Sequence, residues 1–172
     1  MSNNWYELVN DDSLEQGDIF KEVNVVIPTT ELLNGDSDTI DVIAYDVIIL
    51  TQSCDLDNSK TPWVQVTPIT PLSEMQKISE VFGHKKPLES LRRGHEAKYH
   101  LINECTISGY EEEICLVDFR NVFTVPFNYI KDKASIGNNR LRLKSPYKEH
   151  LSQAYAKFFM RVGLPSDIPS FR

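Results

Sequence analysis

The chain has 172 residues, 41% hydrophobic and 25% charged, a composition that fits one globular domain and excludes a disordered or low-complexity protein. Its net charge of −7 and pI near 5.1 weigh against indiscriminate binding to nucleic acid. No apolar run approaches the roughly 20 residues of a membrane span. The three cysteines lack CxxC spacing, which argues against a disulfide scaffold and for a reducing, cytoplasmic setting. No secretory leader is expected, because Met1–Glu7 has no basic stretch ahead of an apolar one.

In chain order, "QGDIFKEVNVVIP" reads as a strand entered through the Gly17-Asp18 turn, with Val23, Val25 and Ile27 alternating along it. "ELLNGDSDT" is a polar turn centred on Asn34-Gly35. "IDVIAYDVIILTQ" is a long strand whose second half is apolar on both faces, so it belongs at the centre of a sheet. "TPWVQVTPITPL" is a short strand, held short by Pro62, Pro68 and Pro71.

A helical insertion over about 73–95 follows, with Ser73 as its cap and Pro87 opening a second helix. "KYHLINECTISGYEEEICLVDF" returns as a hairpin turning at Ser108-Gly109, and "NVFTVP" adds a strand. In "NNRLRLKS" the alternation puts Leu141 and Leu143 on one side and Arg140 and Arg142 on the other, facing away from the core. Ser145 then caps an amphipathic helix over about 145–162, with Tyr147, Leu151, Ala154, Tyr155, Phe158 and Val162 on one stripe. Gly163 and Pro165 end it. With no repeat or linker, residues 1–172 form a single α+β domain: a small, strongly bent antiparallel sheet or SH3-like barrel, with the helical insertion and C-terminal helix attached.

Charge is unevenly spread. Met1–Asp118 holds 8 Lys and Arg against 22 Asp and Glu, whereas Phe119–Arg172 holds 10 against 3. The basic third either meets phosphates or an acidic protein partner, or lies against the acidic part of its own chain.

The motifs "QGDIF", "VIIL" and "VQVTPIT", over roughly the first 72 residues, resemble the MazF/PemK family of toxin endoribonucleases. That resemblance implies an SH3-like barrel that binds single-stranded RNA and forms a homodimer. The family places an Arg-Pro pair before its apolar strand, where this chain has Ala44-Tyr45-Asp46, so the RNA-cleaving arginine is absent. The expected function is therefore binding of RNA or single-stranded DNA without the toxin's chemistry, through Arg140, Arg142, Lys144 and Lys148. The alternative is an accessory or antitoxin-like protein-interaction subunit of a bacterial toxin or defence system.

Catalysis has one weak starting point. Cys54, in "TQSCDLD" just past the apolar strand, would be a nucleophile if His100 or His95 lay beside it. Against that, Asp55 disfavours a thiolate, and a strand-end cysteine is ordinarily a small buried hydrophobe followed by an Asx turn, here through Asp55 to Asn58. Cys54 is therefore expected to be buried and structural. Cys54, His100, Cys105 and Cys115 lack zinc-motif spacing, and Asp18, Asp55, Asp57 and Asp118 lack magnesium-motif spacing, so no metal or cofactor is expected.

Overall fold

Val47, Ile48 and Ile49 have no solvent exposure, and the reason is their place in the sheet. In this computed structural model, which describes residues 4–57, 60–137 and 139–160, they lie in β3 (Asp41–Ile49). That strand is flanked by β2 (Ile19–Ile27) and β4 (Trp63–Pro71), both antiparallel to it. Along its other edge β4 pairs first with β7 (Phe123–Pro126) and then with β6 (Cys115–Asp118), which pairs with β5 (Tyr99–Ile102). β1 (Tyr6–Val9) and β8 (Arg140–Leu143) form a separate two-stranded sheet.

The architecture is α+β, with a bent six-stranded antiparallel sheet and a two-stranded one. The sheet does not close into the SH3-like barrel expected as one option. β4 is also longer than its prolines suggested. Pro68 pairs with Val47 on the β3 side, and on the other side it falls in the break between the β7 pairing, whose last β4 residue is Val66, and the β6 pairing, whose first is Ile69. A residue with no N–H is tolerated where no ladder partner stands.

β3 alternates between two cores. Ile48 and Leu50 face one that contains Leu141, Leu143, Leu151 and Phe119, and Val47 and Ile49 face another with Phe127, Ile130 and Ala134. The second core is closed by α5 (Phe127–Ile136), a helix not read from the sequence, although Phe127, Ile130 and Ala134 share a face at helical spacing. The first is closed by α6 (Tyr147–Phe159), the C-terminal helix expected from its stripe. Leu151 is fully buried there, worth about 1.5–3 kcal/mol. Pro146, not Ser145, stands at the cap position and makes no side-chain capping bond, so the helix begins later than expected. Val162, Gly163 and Pro165 lie outside the described residues.

The helical insertion is present as α3 (Leu72–Ile78), a 3₁₀ turn (Glu80–Gly83) and α4 (Lys85–Arg92). Ser73 does not cap it; its hydroxyl donates to the Glu113 carboxylate at 2.6 Å instead. Two short helices replace expected turns: α1 (Thr30–Asn34), capped by the Thr29 hydroxyl, and α2 (Ser53–Leu56). Among the described residues no helix is long and apolar enough to cross a membrane.

Candidate functional site

The segment Asp11–Asp18 joins the two sheets, and Gly17 sets how closely. Its N–H donates to Ile49 O and its carbonyl accepts from Leu143 N–H, both at 3.0 Å. A Cβ there would stand 3.0 Å from Leu143 Cβ, and the backbone sits at φ +86°, so only glycine fits.

This crossing delivers the next residue, Asp18, into the interior with no solvent exposure. Its carboxylate accepts from Arg140 Nε at 3.0 Å, from Arg142 Nη2 at 2.9 Å and from Arg142 Nε, and from Glu15 N–H at 3.2 Å. Arg140 also donates to the carbonyls of Asp11 and Ser13, and its guanidinium lies 5.5 Å from the Phe20 ring centre. Arg142 donates to Glu15 Oε1 at 2.8 Å.

Arg140 and Arg142 are 7% and 5% exposed, which corrects the expectation that they face away from the core. The strand does alternate, but both its faces are covered: the leucines by the α6 core, the arginines by the 11–18 segment. Buried guanidiniums whose donors are turned to carboxylate and carbonyl oxygens of their own chain are not presented to a phosphate. The charge asymmetry of the sequence resolves here as pairing within the chain, and Lys131–Asp12 at 3.5 Å adds to it.

Lys148, on α6, extends the network by donating to Glu15 Oε2 at 2.8 Å. Burial pushes the Glu15 carboxyl up, but the Lys148 hydrogen bond and the Arg142 charge outweigh it and hold the group below its ordinary value. Lys144 is half-buried, and its N–H donates to Trp5 O.

The network fixes one end of α6 against the strand end that carries Cys54. Gln16 is buried; its N–H donates to Ser53 Oγ at 3.1 Å and its Nε2 to Leu50 O at 2.8 Å. Two adjoining clefts of about 480 and 580 Å³ open between α2 and α6 and share Gln16, Gln52 and Ser152. The smaller runs past Cys54, Lys148, Glu149 and Gln153. The larger runs past Asp55, Trp63, Gln65, Tyr155 and Phe159, of which Trp63 is 54% and Phe159 61% exposed.

Cys54 is exposed on α2, against the expectation of burial, because Leu56 is the residue of that turn that enters the core. Its thiol stands 3.8 Å from Gln52 Oε1 and 3.9 Å from Asp55 Oδ1. Asn58, where the expected Asx turn would end, lies outside the described residues.

His100 does not join Cys54. It sits on β5 opposite Val117 and stacks on Phe119 at 6.4 Å, while the cleft beside Cys54 is lined by Gln16, Gln52, α2 and α6. Burial, with the His150 charge, pushes its pKa down to about 4, and its Nε2 has no hydrogen-bond partner among the described residues. His95 lies beyond α4, where its N–H donates to Ser90 O. Nor are the residues weighed for metals brought together: Cys105 pairs with Glu112 and Cys115 with Ile102, and no cluster of three metal-ligating side chains occurs among the described residues.

Asp46, at the end of the Ala44-Tyr45-Asp46 stretch, has a structural role. It accepts from Glu22 N–H at 3.0 Å and Lys21 Nζ at 2.9 Å, holding the bulge at which Glu22 adopts φ +50°.

The signal for this site was spread through the sequence. "QGD", "QSCD" and the start of α6 are separated by tens of residues, and only the crossing at Gly17 brings them together. Comparison of the chain with protein-family models and with curated proteins finds no match to either.

Proposed function

We propose that the protein is a protein-interaction module, an accessory subunit that holds an extended segment of a partner in the groove between α2 and α6. The observation that carries this reading is the groove's lining. Exposed side-chain amides of Gln52, Gln65 and Gln153 stand along it beside the exposed rings of Trp63 and Phe159. An amide both donates and accepts, so a row of them suits the alternating N–H and C=O groups of a polypeptide. Exposed aromatic rings supply contact area at low entropic cost. Charge along the groove is mixed, with Lys148 and Glu149 lining the smaller cleft and Asp55 the larger, which suits a neutral ligand better than a polyanion.

The RNA-binding reading that the MazF/PemK resemblance implies rests on Lys144 and Lys148, since Arg140 and Arg142 are committed to Asp18. Lys148 is itself paired with Glu15.

A photo-crosslinking residue, p-benzoylphenylalanine, placed at exposed Gln153 tests the proposal in cells. The expected product is a covalent adduct that protease destroys and ribonuclease leaves intact. A ribonuclease-sensitive adduct, or none, overturns it.

A further inference from the structure

A second surface stands apart from the groove. The outer half of the β2–α1–β3 hairpin extends past the core, and β3 is exposed from Asp41 to Ala44. Of the large hydrophobic side chains that are exposed among the described residues, Val26, Leu33, Ile40, Val42 and Ile43 all lie on this arm, at 43–74% exposure. Val26 and Val42 are register partners, so they form a cross-strand apolar pair on one face. From Val23 to Tyr45 the chain carries Glu31, Asp36, Asp38 and Asp41, all exposed, and no Lys, Arg or His.

The arm also has an edge. Among the described residues β2 pairs only with β3 in its sheet. Its inner part is covered by α5: Asn24 N–H donates outward to the Tyr129 hydroxyl at 2.9 Å, and Glu22 O accepts from Lys133 Nζ at 3.0 Å. Backbone groups of an antiparallel strand alternate in direction, so Val26, two residues beyond Asn24, turns its N–H and C=O to the same outer edge. Natural edge strands are commonly protected by a lysine, a proline or a covering element. From Val25 to Ile27 this one carries no lysine or proline and, among the described residues, pairs with no further strand on its outer edge; Pro28 comes only after the strand has ended.

We propose that this arm docks an extended, basic segment of another protein, in which cationic and apolar side chains alternate, by adding it as a strand beside Val25–Ile27. The backbone edge supplies main-chain hydrogen bonds, the Val26–Val42 face receives the apolar side chains, and the four carboxylates meet the cations. A second arm is a poor occupant, because two such surfaces bring like charges together. This surface does not depend on the α2–α6 groove.

The test uses a fluorescent nine-residue peptide of alternating Lys and Val, titrated into the full chain by anisotropy. Three comparisons accompany it: an alternating Glu and Val peptide, the Lys/Val peptide N-methylated at every second residue, and the Val26→Lys/Val42→Lys protein. Both substitutions are at exposed positions, and circular dichroism checks that the variant is folded. The expected result is saturable binding of the Lys/Val peptide, weakened about tenfold or more in each comparison. Equal binding of the Glu/Val or N-methylated peptide, equal binding by the variant, or no binding by the parent overturns the proposal. So does a dimer in sedimentation velocity that the Val26→Lys/Val42→Lys protein cannot form, since the occupant is then a second copy.

Discussion

Asp18 and Arg142 lie 124 residues apart in sequence and meet in the interior, where one carboxylate takes two donors from the same guanidinium. Residues 18 and 142 also form an isolated antiparallel bridge, so backbone and side chains tie the same two points. Removing one partner of a buried ion pair strands the other without water or counter-charge. Asp18→Asn is therefore expected to cost about 3–5 kcal/mol in urea unfolding, because two buried arginines lose their anion. The Arg140→Glu/Arg142→Glu protein, which would fold normally if these residues faced solvent, is expected not to fold at all. Native-like melting of either protein contradicts the assignment.

The three cysteines are expected to separate cleanly under a small thiol reagent. Cys54 is exposed, whereas burial pushes the Cys115 thiol up to about 12 and raises that of Cys105 as well. A thiolate is the reactive species, so Cys54 is modified first in the folded protein, and the other two follow only on unfolding. Mass spectrometry of peptides from a time course reads the order directly. Equal rates at all three positions would show that Cys54 is not held at the surface.

How far the sequence reveals this fold depends on how local each signal is. The α6 stripe and the apolar half of β3 are set by neighbouring residues, and both are legible. The helix α5 shows the same kind of signal in Phe127, Ile130 and Ala134, hidden by its direct continuation from β7. Arg140 and Arg142 mislead because alternation reports two faces and not what covers them. Here a segment more than 120 residues away covers the polar one, and the only hint is that the acidic and basic parts of the chain are complementary. The groove is illegible for a related reason. Cys54 and Gln153 share a lining only once Gly17 has packed against Leu143.

Acid sensitivity should trace in part to His100. Burial, aided by the His150 charge from α6, lowers its folded pKa to about 4 from the ordinary 6.5. A depressed pKa means that the unfolded chain binds the proton more readily. Its contribution to stability is thus complete above pH 6.5 and is lost as pH falls from there toward 4. The loss amounts to roughly 3 kcal/mol over that window. The His100→Leu protein should show a flatter stability profile between those limits in urea titrations at stepped pH. A profile parallel to the parent's would mean that His100 does not carry this linkage.

The groove itself is tested by filling it. Ser152 lines both clefts and is half-buried on α6, outside the core that Leu151 enters, so a tryptophan there blocks both. The decisive measurement is retention of the partner that cross-links at Gln153 by Ser152→Trp and Lys144→Glu proteins, purified from the native cells with ribonuclease present and compared with the parent. The account predicts that Ser152→Trp keeps the parent's melting temperature and loses the protein partner, while Lys144→Glu keeps both. Retention of the partner by the Ser152→Trp protein, or a bound species that ribonuclease removes from the parent, would contradict it.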